Sequence, residues 1–378
     1  MVMETIAVVI AVVAVVWLIS VLVLTAPDLS NFDEPQPELH RDRSAVSAEN
    51  SEVLRLIDLL QDELRGKSAL KRLKRIRQLF DEGFTGSPLQ ADELGVTINA
   101  TNAGGVDAEW VVAPGASHDR RLLYIHGGAF AIGSPLSHRM ITSALSKACR
   151  VAVLAIDYRL LPEHFRKAAI ADCQNAYRYM LGYGPSGNSD AEEIYVAGDS
   201  AGGNLTLMLS AWTGDAGLRR MDGVIAFSPS TDSTLSNPSA VRNIETDPML
   251  GSGLGPLARL PKSIRLSIAF IKCLGSPRNP LMSPLFGDLS DLPPTLVQIS
   301  DREMLFDDSL RYVNKARAQG SPVTLQVWPD MVHVWQMFQH VLPEARHAID
   351  EVAAFLAENK SGRTAVFNEK QGLKQGIR

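Results

Sequence analysis

Apolar residues fall into three textures along this chain. The first is an unbroken run. From Ile6 to Leu24 no residue is charged and Ser20 is the only polar one. At ~1.5 Å per residue, a helix of that length spans roughly 28 Å, close to the hydrocarbon thickness of a bilayer. The pattern therefore predicts an uncleaved, single-pass N-terminal transmembrane helix over residues 1–26. Membrane localisation follows, with the side of the membrane left open. A cleaved secretory signal would want a basic leading segment and a small-residue cleavage site. Here Glu4 is the only upstream charge, and Pro27 stands where cleavage would fall.

The second texture is a helical period. After a tether over 27–45, which carries Pro35 and Pro37, the residues Leu54, Ile57 and Leu64 and then Leu70, Leu73 and Ile76 recur at helical spacings. They predict two helices across Ser51–Phe80, broken near Gly66, within an N-terminal cap region over 46–94. The second helix carries Lys67, Lys71, Arg72, Lys74, Arg75 and Arg77. A solvated face is the simpler reading of these cations. A face resting on anionic headgroups beside the anchor is the sharper one.

The third texture begins near Gly95. Short apolar runs at Leu122–Ile125, Val151–Ile156, Ile194–Ala197, Val224–Phe227, Leu296–Ile299 and Thr324–Val327 alternate with helical stretches such as Ile141–Ala148, Ala168–Leu181 and Leu310–Ala318. Strand alternating with helix predicts an α/β domain over 95–358, a mostly parallel sheet covered on both faces. A polar tail over 359–378 closes the chain. In such a sheet, chemistry collects in the loops after the carboxyl ends of strands.

Composition narrows the function classes. The 378 residues carry 37 Lys+Arg against 42 Asp+Glu, a formal net charge of −5, which argues against a nucleic-acid partner. Hydrophobic residues at 46% and charged residues at 21% are ordinary globular values and exclude a disordered chain. Cys149, Cys173 and Cys273 lack C-x-x-C spacing and read as buried thiols, neither a zinc site nor a disulfide framework. No metal or organic cofactor is implied.

The loop after Ile194–Ala197 reads Gly198-Asp199-Ser200-Ala201-Gly202-Gly203-Asn204, and a helical run, Leu205–Trp212, follows. A serine at a sharp strand-to-helix turn needs small residues two positions away on each side, because side chains there would strike the strand and the helix. Such a turn presents a nucleophilic hydroxyl above the sheet. A dinucleotide-binding turn would need G-x-G-x-x-G, which Asp199 and Ser200 interrupt. A second loop, His126-Gly127-Gly128-Ala129-Phe130, follows Leu122–Ile125. Backbone N–H groups of Gly127, Gly128 or Ala129, with that of Ala201, form the candidate oxyanion hole for an acyl-transfer intermediate. His126 reads as a loop-orienting residue. His333, past the strand Thr324–Val327, is the candidate base. The candidate acid follows Leu296–Ile299, where Asp301 and Glu303 both qualify. His118 and His138 lie in loops without a companion motif.

Together H-G-G-A-F at 126–130, D-Y-R-L-L-P-E-H at 157–164, G-D-S-A-G-G-N at 198–204, S-P-L at 283–285 and L-P-P at 292–294 resemble the hormone-sensitive-lipase-like branch of the α/β-hydrolase fold. That branch includes bacterial carboxylesterases and membrane-anchored arylacetamide deacetylases. The resemblance implies a serine carboxylesterase acting on short- to medium-chain acyl esters of small molecules through an acyl-enzyme. Amide hydrolysis, a lipid-ester lipase or, remotely, a non-catalytic ligand receptor on the same fold are the alternatives. It picks Glu303 over Asp301 as the acid, because the family's D-P-L-R-D aspartate aligns there without a gap from Leu292. It implies a buried bracing role for Asp157, Tyr158, Arg159, Pro162, Glu163 and His164. It also implies a helical cap built from the N-terminal helices and an insertion at about 236–275. The family's third oxyanion-loop glycine is Ala129 here.

Overall fold

Strands buried on both faces read as unbroken apolar runs, because neither face meets water. Five such runs form the centre of an eight-stranded sheet, and the sixth, Thr324–Val327, lies at its edge with Thr324 exposed, in the computed structural model, which describes residues 2–25, 27–83 and 90–375. The strands are β1 (Thr97–Asn102), β2 (Asp107–Val112), β3 (Ser117–Ile125), β4 (Val151–Ile156), β5 (Glu193–Asp199), β6 (Gly223–Phe227), β7 (Thr295–Ser300) and β8 (Val323–Trp328). Their spatial order is β1-β2-β4-β3-β5-β6-β7-β8. β1 with β2 and β2 with β4 are antiparallel, and every pairing from β4 to β8 is parallel.

Alternation within β3 shows how the layers are built. Leu123 and Ile125 join one buried cluster with Leu154, Val196, Leu205 and Tyr177, while Leu122 and Tyr124 join another on the opposite face with Val153, Ala197, Ile225 and Leu145. Helices Arg166–Gly182, Ala201–Asp215 and Phe306–Ala318 cover the first face. Helix Arg139–Cys149 and the first half of Pro343–Gln375 cover the second. All the parallel strands point their carboxyl ends the same way, so the loops after β3, β5, β7 and β8 meet above one edge.

Two elements cap that edge. Helices Asn50–Leu64 and Ala69–Asp81 bury Val53, Ile57 and Phe80 against Trp328 at the end of β8 and against Val334, Trp335 and Phe338 of the segment that follows it. Helices Gly251–Ala258 and Lys262–Cys273 belong to the insertion between β6 and β7. The stretch expected as a tether lies against the body. Asp33 pairs with Arg311, the His40 N–H donates to the Val327 carbonyl at 2.7 Å, and Arg43 pairs with Asp301 and Asp330.

The expected membrane anchor does not stand. Val2–Leu24 is one helix, but among the described residues no helix is long and apolar enough to cross a membrane. An apolar run reports a demand for burial without saying what meets it. Here protein covers its inner end: Leu24 is buried, and Arg278 donates to the Thr25 carbonyl at 3.0 Å. The membrane as partner and the single-pass localisation are withdrawn with the anchor. Residues 1 and 26 of that segment, 84–89 of the expected cap and 376–378 of the expected tail lie outside the described residues. Of the tail, 359–375 continues the last helix.

Candidate active site

Ser200 stands between the end of β5 and the start of helix Ala201–Asp215, with φ 51° and ψ −113°, a backbone position that side chains rarely adopt. Its N–H donates to the Phe227 carbonyl at 2.8 Å, and its own carbonyl accepts the first helical bond from Asn204 at 3.0 Å. The turn leaves no room beside it. A Cβ on Gly202 would stand 1.9 Å from the Ile125 carbonyl oxygen, and one on Gly198 would stand 2.6 Å from the same atom. The glycines two residues on either side of Ser200 are therefore steric requirements of the strand-to-helix crossing. Gly202→Ala should destabilise the protein by about 3 kcal/mol or more, at the upper end of overpacking costs. Thermal denaturation of the purified variant checks this, and an unchanged melting temperature would contradict it.

The segment after β8 brings His333 over Ser200. His333 Nε2 lies 2.8 Å from Ser200 Oγ, and His333 Nδ1 lies 2.6 Å from Glu303 Oε2. Glu303, from the loop after β7, is fully buried. Its other oxygen, Oε1, accepts from the Ser300 N–H at 2.8 Å and from Ser228 Oγ–H at 2.9 Å. The carboxylate thus faces three donors, and the imidazole is held as the Nδ1–H tautomer, with Nε2 free to accept from Ser200. Burial pushes the Glu303 carboxyl above the ordinary carboxylate range against the opposing pull of His333. Burial alone would lower His333, but the Glu303 carboxylate, with Asp247 and Asp199 beyond it, outweighs burial and raises the imidazole above its usual 6.5. Asp301 takes no part: its carboxylate accepts the Asp330 N–H at 3.0 Å and pairs with Arg43.

The loop after β3 faces Ser200 from the other side. A Cβ on Gly128, at φ +109°, would meet the Ile132 carbonyl oxygen at 2.2 Å, and Ala129 and Phe130 also take positive φ. Gly128 and Ala129 line the cavity beside Ser200. Gly127 does not share that position. Its N–H donates to Asp199 Oδ1 at 3.0 Å, so Gly127 is engaged in holding the loop to β5. His126 donates from Nδ1 to the Gly127 carbonyl at 2.8 Å and stacks on Tyr158 at 4.3 Å. Complete burial, helped by His138, lowers its pKa to about 3, so it stays neutral as a strut of the loop. The D-Y-R-L-L-P-E-H stretch braces the same loop, but not as the buried network expected: Tyr158 is buried, whereas Asp157, Arg159, Pro162, Glu163 and His164 are exposed. Tyr158 Oη donates to the His126 carbonyl at 2.9 Å, the Leu161 N–H donates to the Phe130 carbonyl at 2.7 Å, and Glu163 pairs with Arg77 of the cap.

Four contributors carry no sequence signature. Ser228 donates to Glu303 and accepts from the Val334 N–H at 3.2 Å. Asp247, from the cap insertion, accepts the Met304 N–H beside Glu303 at 2.9 Å. His138 and Tyr124 converge on Asp199: Tyr124 Oη donates to Oδ1 at 2.7 Å, and His138 Nε2 lies 3.5 Å from it. Only the three-dimensional path of the chain unites them. Among the described residues no group of three His, Cys, Asp or Glu side chains is placed to hold a metal ion.

A cavity of about 160 Å³ opens over Ser200 and His333. Ile57, Leu60, Ile76 and Phe80 of the cap helices, Leu250 of the insertion and Met337 make most of its wall apolar. A hydroxyl with a hydrogen-bonded imidazole, a buried carboxylate behind it and small-residue N–H groups across an apolar cavity can perform nucleophilic acyl transfer.

Comparisons with known proteins agree with this chemistry. Residues 122–337 match the family model described as the alpha/beta hydrolase fold. The chain is 38% identical over 266 residues to an acetyl-hydrolase of Streptomyces hygroscopicus, covering 68% of this chain and 82% of that protein. It is 34% identical over 260 residues to an esterase of Acinetobacter venetianus, covering 69% and 82%. A crystal structure of an esterase from the bacterial hormone-sensitive lipase family superposes with a TM-score of 0.70 at 34% identity, covering 83% of this chain and 99% of that one. A crystal of EstE5 soaked with p-nitrophenyl butyrate gives a TM-score of 0.69 at 33% identity, covering 83% and 99%.

Proposed function

We infer that this chain, which belongs to the hormone-sensitive-lipase-like family of the α/β-hydrolase fold, is a serine carboxylesterase that hydrolyses short- to medium-chain acyl esters of small molecules. The observation that carries the reading is the hydrogen-bonded series from Ser200 Oγ through His333 to Glu303 at 2.8 and 2.6 Å, beneath an apolar cavity. The names of the relatives, an acetyl-hydrolase and an esterase crystal soaked with a butyryl ester, support short acyl groups.

In the proposed mechanism, Ser200 Oγ attacks the ester carbonyl carbon while His333 Nε2 takes its proton. The carbonyl oxygen gains a full charge and is met by the N–H groups of Gly128, Ala129 and Ala201. Of the oxyanion donors expected from the sequence, Gly127 leaves the set because its N–H is held by Asp199. The imidazolium, stabilised by Glu303, returns the proton to the departing alkoxide as the carbon–oxygen bond breaks. Water then repeats the sequence on the acyl-enzyme: His333 takes its proton, the carboxylic acid leaves and Ser200 regains its hydrogen.

Three assays test this together. A fluorophosphonate probe should label the native chain covalently and leave Ser200→Ala unlabelled. p-Nitrophenyl esters from acetyl to dodecanoyl should give highest kcat/KM between acetyl and octanoyl. A matched aryl amide should turn over at least a hundredfold more slowly than its ester, since the amine is the poorer leaving group. Faster cleavage of the amide would move the assignment to amide hydrolysis, and labelling that persists in Ser200→Ala would remove Ser200 as nucleophile.

A further inference from the structure

The cavity above Ser200 continues past its apolar section. Gln61, Leu64, Arg72 and Ser252 line it and also line a second cavity of about 260 Å³, whose remaining wall is Arg65, Gly66 and Lys67. The two spaces share a boundary, so a chain attached at Ser200 that follows the cap helices emerges among three cations. All the ionisable side chains of that vestibule are positive. Arg65 and Lys67, in the turn after helix Asn50–Leu64, have carboxylates from the end of that helix nearby, Asp62 at 2.6 Å and Glu63 at 3.6 Å. Arg72, which stands on the boundary itself, forms no ion pair among the described residues. The catalytic carboxylate offers it nothing, since Glu303 is buried behind His333.

A cation at the mouth of an apolar channel is left with water unless the substrate supplies its counter-charge. We propose that the vestibule at Arg72, with Arg65 and Lys67, is a subsite for an anionic group, a carboxylate or a phosphate, at the far end of an ester substrate whose apolar chain fills the cavity over Ser200. The proposal rests on the esterase reading and adds the charge of the preferred substrate. Attraction in so exposed a site is screened by salt and acts mainly on substrate capture, so it belongs in KM more than in kcat.

The test is a matched pair: p-nitrophenyl hydrogen suberate, with a free distal carboxylate, and p-nitrophenyl methyl suberate, identical except that the carboxylate is blocked. At low salt the acid should exceed its methyl ester in kcat/KM by about three- to fivefold, a typical return from an exposed charge pair. The ratio should fall toward one in 0.5 M NaCl and in Arg72→Gln. It should persist in Arg72→Lys and in Lys74→Ala, which removes a cation of the same helix outside the vestibule. Because each ratio is taken within one protein preparation, partial misfolding of a variant cancels. A p-nitrophenyl ester carrying a distal phosphonate separates the sources: a larger gain than the carboxylate gives assigns phosphate-bearing substrates, and a smaller gain assigns monoesters of dicarboxylic acids. Equal rates for acid and methyl ester, or a preference unmoved by Arg72→Gln, overturn the subsite. Loss of both activities together in the native chain would instead overturn the esterase reading.

Discussion

Ser200→Ala should lower kcat for p-nitrophenyl butyrate by a factor on the order of 10⁵ or more, leaving only what the oxyanion donors and the cavity achieve on bound ester. Ser200 Oγ is the atom that forms and breaks the acyl bond, and no neighbouring group replaces it: His333 Nε2 faces that oxygen at 2.8 Å, and Glu303 lies beyond the imidazole. His333→Ala should cost nearly as much, because the hydroxyl then keeps its proton. The two losses should not add. Once Ser200 is absent the imidazole has no proton to take, so Ser200→Ala/His333→Ala should fall within tenfold of the worse single variant. Stability gives an independent check. Ser200 holds φ +51°, where glycine is at ease and other residues are strained, so Ser200→Gly should be inactive yet melt no lower than the native chain. An active Ser200→Ala enzyme, measured by active-site titration to exclude contaminating esterase, would end the acyl-enzyme account.

How far the sequence revealed this site depended on whether local sterics or long-range packing set each feature. Val151–Ile156 was legible to the residue, because all six side chains are buried and the run is apolar from end to end. Thr97–Asn102 was not. It is an edge strand whose residues are exposed or half-exposed, and Thr97, Asn99, Thr101 and Asn102 give it the look of a loop. The turn at Ser200 was legible because its glycines answer collisions with residues a few positions away or on the adjacent strand. The choice between Asp301 and Glu303 was harder from local reading alone: both follow β7, and only their partners, Arg43 for one and His333 for the other, separate them. Gly127 was read as a donor because a glycine N–H after a strand is available in principle, and Asp199, 72 positions later, claims it. The apolar N-terminal run was the largest misreading. Hydropathy along the chain measures how strongly a segment avoids water, and the burial of Leu24 in protein meets part of that demand.

Glu303→Gln should reduce kcat about 10⁴-fold, although it removes no volume and charge alone is not the main reason. The Ser300 N–H and Ser228 Oγ–H both point at Oε1, at 2.8 and 2.9 Å, so a glutamine there must turn its carbonyl oxygen toward them. Its NH₂ group then occupies the place of Oε2 and donates to His333 Nδ1. The imidazole answers by carrying its proton on Nε2, where it confronts Ser200 Oγ as a donor and cannot accept the hydroxyl proton. The wrong tautomer, locked by two donors on the far side of the carboxyl group, is the cause of the loss. The pH profile separates this from simple disorder. In the native chain burial lowers His333, but Glu303 together with Asp247 and Asp199 outweighs it and holds the imidazole above 6.5, and the base works only when neutral. The acid limb of kcat/KM should therefore have its midpoint above pH 6.5. Removing the carboxylate should move that midpoint to lower pH in whatever activity Glu303→Gln retains. Asp301→Asn is the matched control two positions away: its carboxylate serves Arg43 and the Asp330 N–H, so kcat should change by less than about threefold and the midpoint should stay put. If Asp301→Asn proves the crippled variant and Glu303→Gln the active one, the 2.6 Å contact between Glu303 and His333 is not the one that orients the base.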